Sequence, residues 1–338
     1  MIDNLQERKT LESGKDVEAE LREDTKEEEK ESNMLNVEEI LNHKEDSEKI
    51  QLLREMQEKL YGDDIAEVIE SMQSDESKIA LLREYPDKIH KRDTLKTIRS
   101  IQDVSNKISL LKEYQKILQS SDIVDMIDSL SKDNEKITVL KSFDNMMSEY
   151  DIGSVINMMS EDNTKLEVLR EYDNKISDMM IISSIVVGMQ EDTSKIKALR
   201  VYHEKWKSKS ITDVINSLQD DKNKMATLKE YQKSIRQGED FVVVIEGIQD
   251  GSHRVELLKD CMDSMKSDDV TYVIGRMQED ADKILALKKC NTKISGTDIA
   301  DIIGSMQEDS AKVETFREYY NKIKKNRRRS GVCHHMLT

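Results

Sequence analysis

Proline occurs once in this chain of 338 residues, at Pro86, and glycine only 11 times. So few breakers exclude a loop-rich or collagen-like chain and leave room for many unbroken helices. Aromatic residues are 4% of the total, and no stretch alternates apolar and polar residues as a half-buried strand would. An apolar run of 18 residues is missing too, so nothing reads as a membrane span. Met1 to Thr10 is charged, unlike a secretory leader. The last four residues, His335-Met336-Leu337-Thr338, do not form a prenylation box. The compartment expected from these features is the cytoplasm.

Chemistry-bearing patterns are equally sparse. His43, His90, His203, His253, His334 and His335 include no His-x-x-x-His pair. Cys333-His334-His335 puts three soft ligands in one terminal stretch without a distant fourth, a weak zinc signal. Glu-Asp turns such as Glu279-Asp280 lack the alternating oxygens and central Gly of a calcium loop. There is no Gly-rich phosphate loop and no Ser/His/Asp or Cys/His arrangement with supporting context. The expectation is a protein that is not an enzyme and has no cofactor or metal.

What the chain does have is a sentence repeated ten times. A Lys or Arg precedes an aliphatic anchor, an apolar residue follows three places on, then a second base. The anchors are Ile50, Ile79, Ile108, Ile137, Leu166, Ile196, Met225, Val255, Ile284 and Val313, spaced 29 residues apart with two steps of 30. A period this regular is the mark of stacked repeats. In residues 64–92, Ile65, Val68, Ile69 and Met72 form one helical stripe, and Ile79, Leu82, Tyr85 and Ile89 a second. Each unit therefore reads as two short helices of roughly 10 and roughly 14 residues. Neither stripe can be buried within one unit, so the units must stack.

Asp residues punctuate both helices. Asp64, Asp93, Asp122, Asp151, Asp240, Asp269 and Asp298 precede the first stripe, and Asp46, Asp75, Asp133, Asp162, Asp192, Asp221, Asp280 and Asp309 the second. Both sets read as helix N-caps, with Val104 and Gly251 breaking the second. The two extra residues fall near 177–181 and 235–239. The missing Asp at Met179-Met180-Ile181 predicts a local irregularity.

The fold class expected is all-α, an α-solenoid superhelix of about ten helix-turn-helix repeats over 36–323, with an arc on the order of 100 Å. Residues 1–35 are dense in Glu and Lys and read as a disordered or loosely helical acidic arm. Residues 324–338 read as a flexible basic tail, and Lys324 to Arg329 offers a nuclear-import reading beside the cytoplasmic one. Cys261 and Cys290 share one core slot in neighbouring units. Equivalent Cα atoms there should stand about 9–10 Å apart, too far for a disulfide. Met146-Met147, Met158-Met159 and Met179-Met180 read as core filler, or as an adaptable groove if exposed.

The recurrent bases are the candidate site. The base before the anchor is Lys in nine copies and Arg254 in the other, and helical geometry puts it on the buried side at the helix start, its stem along apolar surface and its ammonium reaching out to solvent. The base four after the anchor is Arg54, Arg83, Lys112, Lys141, Arg170, Arg200, Lys229, Lys259, Lys288 or Arg317, on the helix flank. These bases read as an inter-repeat ladder to Asp or Glu of the next unit, or as a stripe for an anionic partner. The formal charge of −16 and the sameness of the bases between copies disfavour a nucleic-acid code.

The 29-residue period and absent Trp/Gly/Tyr/Pro pattern do not match the tetratricopeptide unit. Ile294 to Ile303, followed by Glu308-Asp309-Ser310-Ala311-Lys312-Val313, is distantly similar to a helical-repeat domain of unknown function. That resemblance implies a helical fold and no activity. The function expected from the architecture is a non-catalytic protein-protein interaction scaffold. The alternatives are a structural spacer or self-associating element and an anion- or nucleic-acid-binding module.

Overall fold

The structure is a computed structural model that describes residues 37–235 and 238–330. Helices and turns make up all of it, with no strand among the described residues. The fold is an α-solenoid of two-helix repeats. The chain divides into two compact units, Met1–Asp151 and Ile152–Thr338. The first holds α1 (37–41), α2 (Asp46–Met56), α3 (Gly62–Glu70), α4 (Asp75–Glu84), α5 (Lys91–Ser100), α6 (Val104–Glu113), α7 (Ser120–Asp128) and α8 (Asp133–Phe143). There α3 packs on α5, α5 on α7, and α6 on α8.

The second unit opens within α9 (Glu149–Asn157). It continues with α10 (Asp162–Glu171), α11 (Met179–Val187), α12 (Asp192–Tyr202), α13 (Ser208–Asn216), α14 (Asp221–Tyr231), α15 (Gly238–Glu246) and α16 (Gly251–Cys261). It closes with α17 (Ser267–Gly275), α18 (Asp280–Cys290), α19 (Gly296–Gly304) and α20 (Asp309–Ser330). First helices stack on first helices (α11, α13, α15, α17, α19), and second helices on second (α14, α16, α18). The cores are the two stripes, buried in register from repeat to repeat.

The second helix is shorter than its stripe predicts. It ends near the Tyr slot, and the chain then makes a turn that is often a single 3₁₀ turn, as at Gln115–Ile117. The fourth apolar slot therefore lies outside the helix. Leu118 is extended, at φ −87° and ψ 148°, and stays buried. It stands two residues before α7, and Ile123, fourth in α7, is buried as well. This is the spacing of a hydrophobic staple, which sets the angle at which the chain enters the next helix.

Neither Asp series is an N-cap. Asp64 is the third residue of α3, and its carboxylate accepts from the N–H of Tyr61, the actual cap residue, at 2.9 Å. Asp122, Asp269 and Asp298 accept from Gln119, Lys266 and Ser295 in the same way. The second series opens its helices but serves the next repeat. Asp75 accepts from the N–H groups of Gln102 (2.9 Å) and Asp103 (2.9 Å), and Asp192 from Gln219 (2.7 Å) and Asp220 (3.0 Å). Asp46, Asp162, Asp221 and Asp280 do the same. Each carboxylate thus holds the turn between the two helices of the following repeat, a strong use because the acceptor is charged.

Side-chain capping passes to the residue before. Ser74, Asp103, Asp220 and Asp250 accept from the N–H three places on. Two of these lie just ahead of Val104 and Gly251, so those helices keep a cap and lose only the clamp. A Cβ on Gly251 would sit 1.9 Å from an Asp282 carboxylate oxygen, so the approach of that carboxylate requires glycine there.

The irregularity expected at Met179 is confined to the cap, where Ile181 is third in the helix and the Asp stands before it. α11 has nine residues like its neighbours, and Asp178 caps it by accepting from the Met180 N–H at 2.8 Å. At the far end, α20 runs on past 323 to Ser330, over part of the stretch assigned to a flexible tail. No Gly or Pro interrupts residues 309–330. The acidic arm and Cys333-His334-His335 lie outside the described residues.

Candidate functional site

The recurrent base four after the anchor stands on the exposed flank of each second helix. Opposite it, in the next repeat, is the residue five after that repeat's anchor. Where that residue is acidic, the two meet. Arg54 pairs with Glu84 (2.8 Å), Arg83 with Glu113 through two nitrogens, Arg200 with Glu230 (3.5 Å), Lys229 with Asp260 (2.6 Å) and Lys288 with Glu318 (3.7 Å). Hydrogen bonding to these carboxylates raises the pKa of Arg54, Arg83 and Lys229, and the same bonds lower Glu84 and Glu113. Lys141 is partnered too.

The remaining bases face other chemistry. The slot opposite Lys112 holds Ser142, that opposite Arg170 holds Val201, and that opposite Lys259 holds Lys289. Among the described residues these three, and the terminal Arg317, make no ion pair. Their partner slots had no carboxylate to offer, a signal readable in the sequence once the period is known.

The base before the anchor does something different. Its ammonium neither reaches solvent nor meets an Asp cap of the next unit. Lys49, Lys78, Lys195, Lys224 and Lys283 are buried, and each donates to a carbonyl at the C-terminal end of the next repeat's first helix, in most cases that of the capping residue. The acceptors are Ser71, Ser100, Ser217, Gly247 and Ser305, at 2.6 to 3.1 Å. A cation at a helix C-terminus meets both an unsatisfied carbonyl and the negative end of the dipole. Burial still pushes the Lys195 and Lys107 ammonium groups down from their ordinary range. Arg254 breaks the pattern and turns back to Ile248 O in its own repeat.

The surface that varies is the outer face of the first helices, at their second, sixth and ninth residues. In α3, α5 and α7 it is charged. Lys96 of α5 meets Glu70 of α3 (2.9 Å), and Arg99 and Lys91 of α5 meet Asp125 (3.6 Å) and Asp122 (2.6 Å) of α7. In the second unit the same positions mix charged residues, such as Lys209 and Asp213 on α13, with Met180 and Val187 on α11, Val243 on α15 and Tyr272 on α17, these four all exposed. Met180 is 74% exposed, which makes it surface and not core filler. Met147 and Met159 are buried. The Arg276 guanidinium lies over the Tyr272 ring (5.4 Å) while pairing with Glu246 (2.8 Å).

The other sequence candidates do not converge on a reactive site. His43 and His253 each lie near one carboxylate, and His203 rests edge-on against Tyr231. Cys261 and Cys290 are free and buried, and burial pushes their thiols up to about 12 and about 11, away from nucleophilic use. No group of three His, Cys, Asp or Glu able to hold a metal occurs among the described residues. No helix there is long and apolar enough to cross a membrane.

Comparison with known proteins leaves the family open. No family model and no curated protein matches the chain. Among solved structures it is similar to one described as "Computational Design of Self-Assembling Cyclic Protein Homooligomers". That match has 12% identity, covers 90% of this chain and 95% of that one, and has a TM-score of 0.10, too low for any inference.

Proposed function

We propose that this chain is a non-catalytic scaffold that binds a protein partner on the outer face of the first helices in residues 152–330. The observation that carries the reading is the exposed apolar set Met180, Val187, Val243 and Tyr272 on helices that stack in order through α13. Three of the four stacked helices α11, α13, α15 and α17 place an exposed apolar side chain on this face, with the Lys209–Asp213 pair of α13 between them, and exposed apolar side chains gathered on one face mark an interaction site. Tyr and Met suit that role, the one as a rigid anchor and the other as an adaptable contact.

The anion-binding reading has less support. Five of its ten bases already face a carboxylate of the next repeat. The test is affinity capture followed by mass spectrometry, comparing the native chain with Met180→Glu/Val243→Glu/Tyr272→Glu. Partners should be lost from the triple variant while its helical content and melting temperature hold. Full retention of every captured protein would sink the proposal.

A further inference from the structure

The last repeat ends with its docking equipment unused. Three places after the anchor, Leu53, Leu82, Leu199, Leu228, Leu258 and Leu287 are wholly buried. The last copy has Phe316 there, 42% exposed, beside an exposed Val313 and edge-on to Tyr320 at 5.8 Å. The difference is that, among the described residues, no further repeat packs on this one. The polar fittings are idle as well. Asp309, in the slot where Asp280 clamps the next turn, is 96% exposed. Lys312, in the slot whose lysines reach the next helix end, turns back to Asp309 at 3.3 Å. Arg317 has no acidic partner among the described residues.

The repeat that opens the chain keeps the reciprocal half. Leu81, Leu110, Leu257 and Ala286, two after their anchors, are fully buried, whereas Leu52 in the same slot is half-buried. Met56 is half-buried where Tyr85, Phe143, Tyr172 and Tyr202 are buried. Glu55 occupies the slot in which Glu84 and Glu113 receive the arginine of the repeat before, and among the described residues it meets only its own neighbour Gln51. So one end exposes the face that a following repeat covers, and the other the face that a preceding repeat covers. Their charges are opposite in the matching slots.

We infer that the end face of the last repeat, at Phe316 and Arg317, docks the first repeat of a second copy of this chain. Phe316 and Val313 would cover Leu52 and Met56, and Arg317 would take Glu55 as Arg83 takes Glu113. Such a contact joins unlike surfaces, so it builds rings or open chains of copies. It is separate from the partner face proposed above, because it uses second helices and the terminal repeats, and either proposal can fail alone.

The experiment is sedimentation of the full chain over a concentration series reaching about 100 µM, where even weak contacts of this size register. The native chain should self-associate, and Phe316→Glu should abolish this. Arg317→Glu and Glu55→Arg should each weaken it by about tenfold or more, since each sets like charges face to face. The double variant Arg317→Glu/Glu55→Arg restores opposite charges and should recover to within about threefold. Helical content, read by circular dichroism, should not change, because all three positions are on the surface. A chain that stays monomeric overturns the inference. So does association indifferent to Phe316→Glu, or a double variant that does not recover. The last result would give the end face to another occupant, such as residues 1–36.

Discussion

The repeats of residues 37–151 and those of residues 152–330 have interiors of the same kind and differ on one surface. In the first set, α5 turns Arg92, Lys96 and Arg99 outward between the acidic outer faces of α3 and α7, and three ion pairs tie the helices together. In the second set the same face carries Met180, Val187, Val243 and Tyr272. Buried slots are constrained by the repeat on either side, so they stay apolar from copy to copy, filled by Ile, Val, Leu, Met and Tyr with Phe143, Trp206, Cys261 and Cys290 as substitutes. Outer positions meet neighbouring helices only through exposed side-chain pairs, which constrain residue type weakly. A change there from charge to apolar side chains is not needed for folding, and that is why it is the place to look for function.

If the interiors are equivalent, equivalent truncations must cost the same. Leu82→Ala and Leu199→Ala each empty a fully buried site and should each destabilise by about 2–5 kcal/mol. Urea unfolding, with hydrogen exchange to localise the loss, checks this. A difference of more than about 2 kcal/mol between them would mean that the two sets are not packed alike.

The buried lysines come next. Lys78→Met and Lys195→Met keep the stem and remove the donor from Ser100 O and Ser217 O. Each should cost about 1–3 kcal/mol, the penalty of a buried acceptor left unmet. A stabilised variant would show instead that stripping water from the ammonium outweighs its bond to the helix end. Lys312→Met should cost little, because Lys312 reaches no following helix.

The clamps make stability depend on acid. Burial pushes the Asp192 carboxyl up, but hydrogen bonds from the Asn223 side chain and from two backbone N–H groups outweigh it and hold the pKa below its ordinary value. Asp280 is held down by the Glu308 and Gln307 N–H groups in the same way. A carboxyl whose pKa is lower folded than unfolded adds stability above the unfolded pKa, about 3.9. That stability is lost as pH falls through the folded value. Melting temperature should therefore fall on acidification below about pH 4. Asp192→Asn should flatten that fall and cost about 1–2 kcal/mol at pH 7. An unchanged acid limb in Asp192→Asn would remove the clamp from the account.

The period, the two helices per unit and the apolar slots were legible from spacing alone, because stacking punishes any slip. What spacing could not show was direction. Asp75 reads as a cap because it stands before an apolar stripe, yet its carboxylate points into the next repeat's turn. Lys195 reads as a stem with its ammonium in solvent, and the missing knowledge was that a helix end lies above it. The ladder partners could have been found by asking what stands five residues after the next anchor. Met180, Val243 and Tyr272 could not, because an apolar residue at a single helical position looks the same in sequence whether it is covered or exposed.

The smallest effects separate the two outer faces most cleanly. Lys96→Gln removes an exposed pair with Glu70 and should cost about 0.2–1 kcal/mol, shrinking as salt screens the native pair. Val243→Thr in the second set removes no charge and uncovers no core, so it should stay within about 0.5 kcal/mol at any salt concentration. The charged face would then be a small contributor to holding repeats together and the apolar face none at all. If Val243→Thr instead destabilises by more than about 1 kcal/mol, Val243 is packed against something within the fold. The apolar face would then be structural, and the distinction between the two sets would vanish.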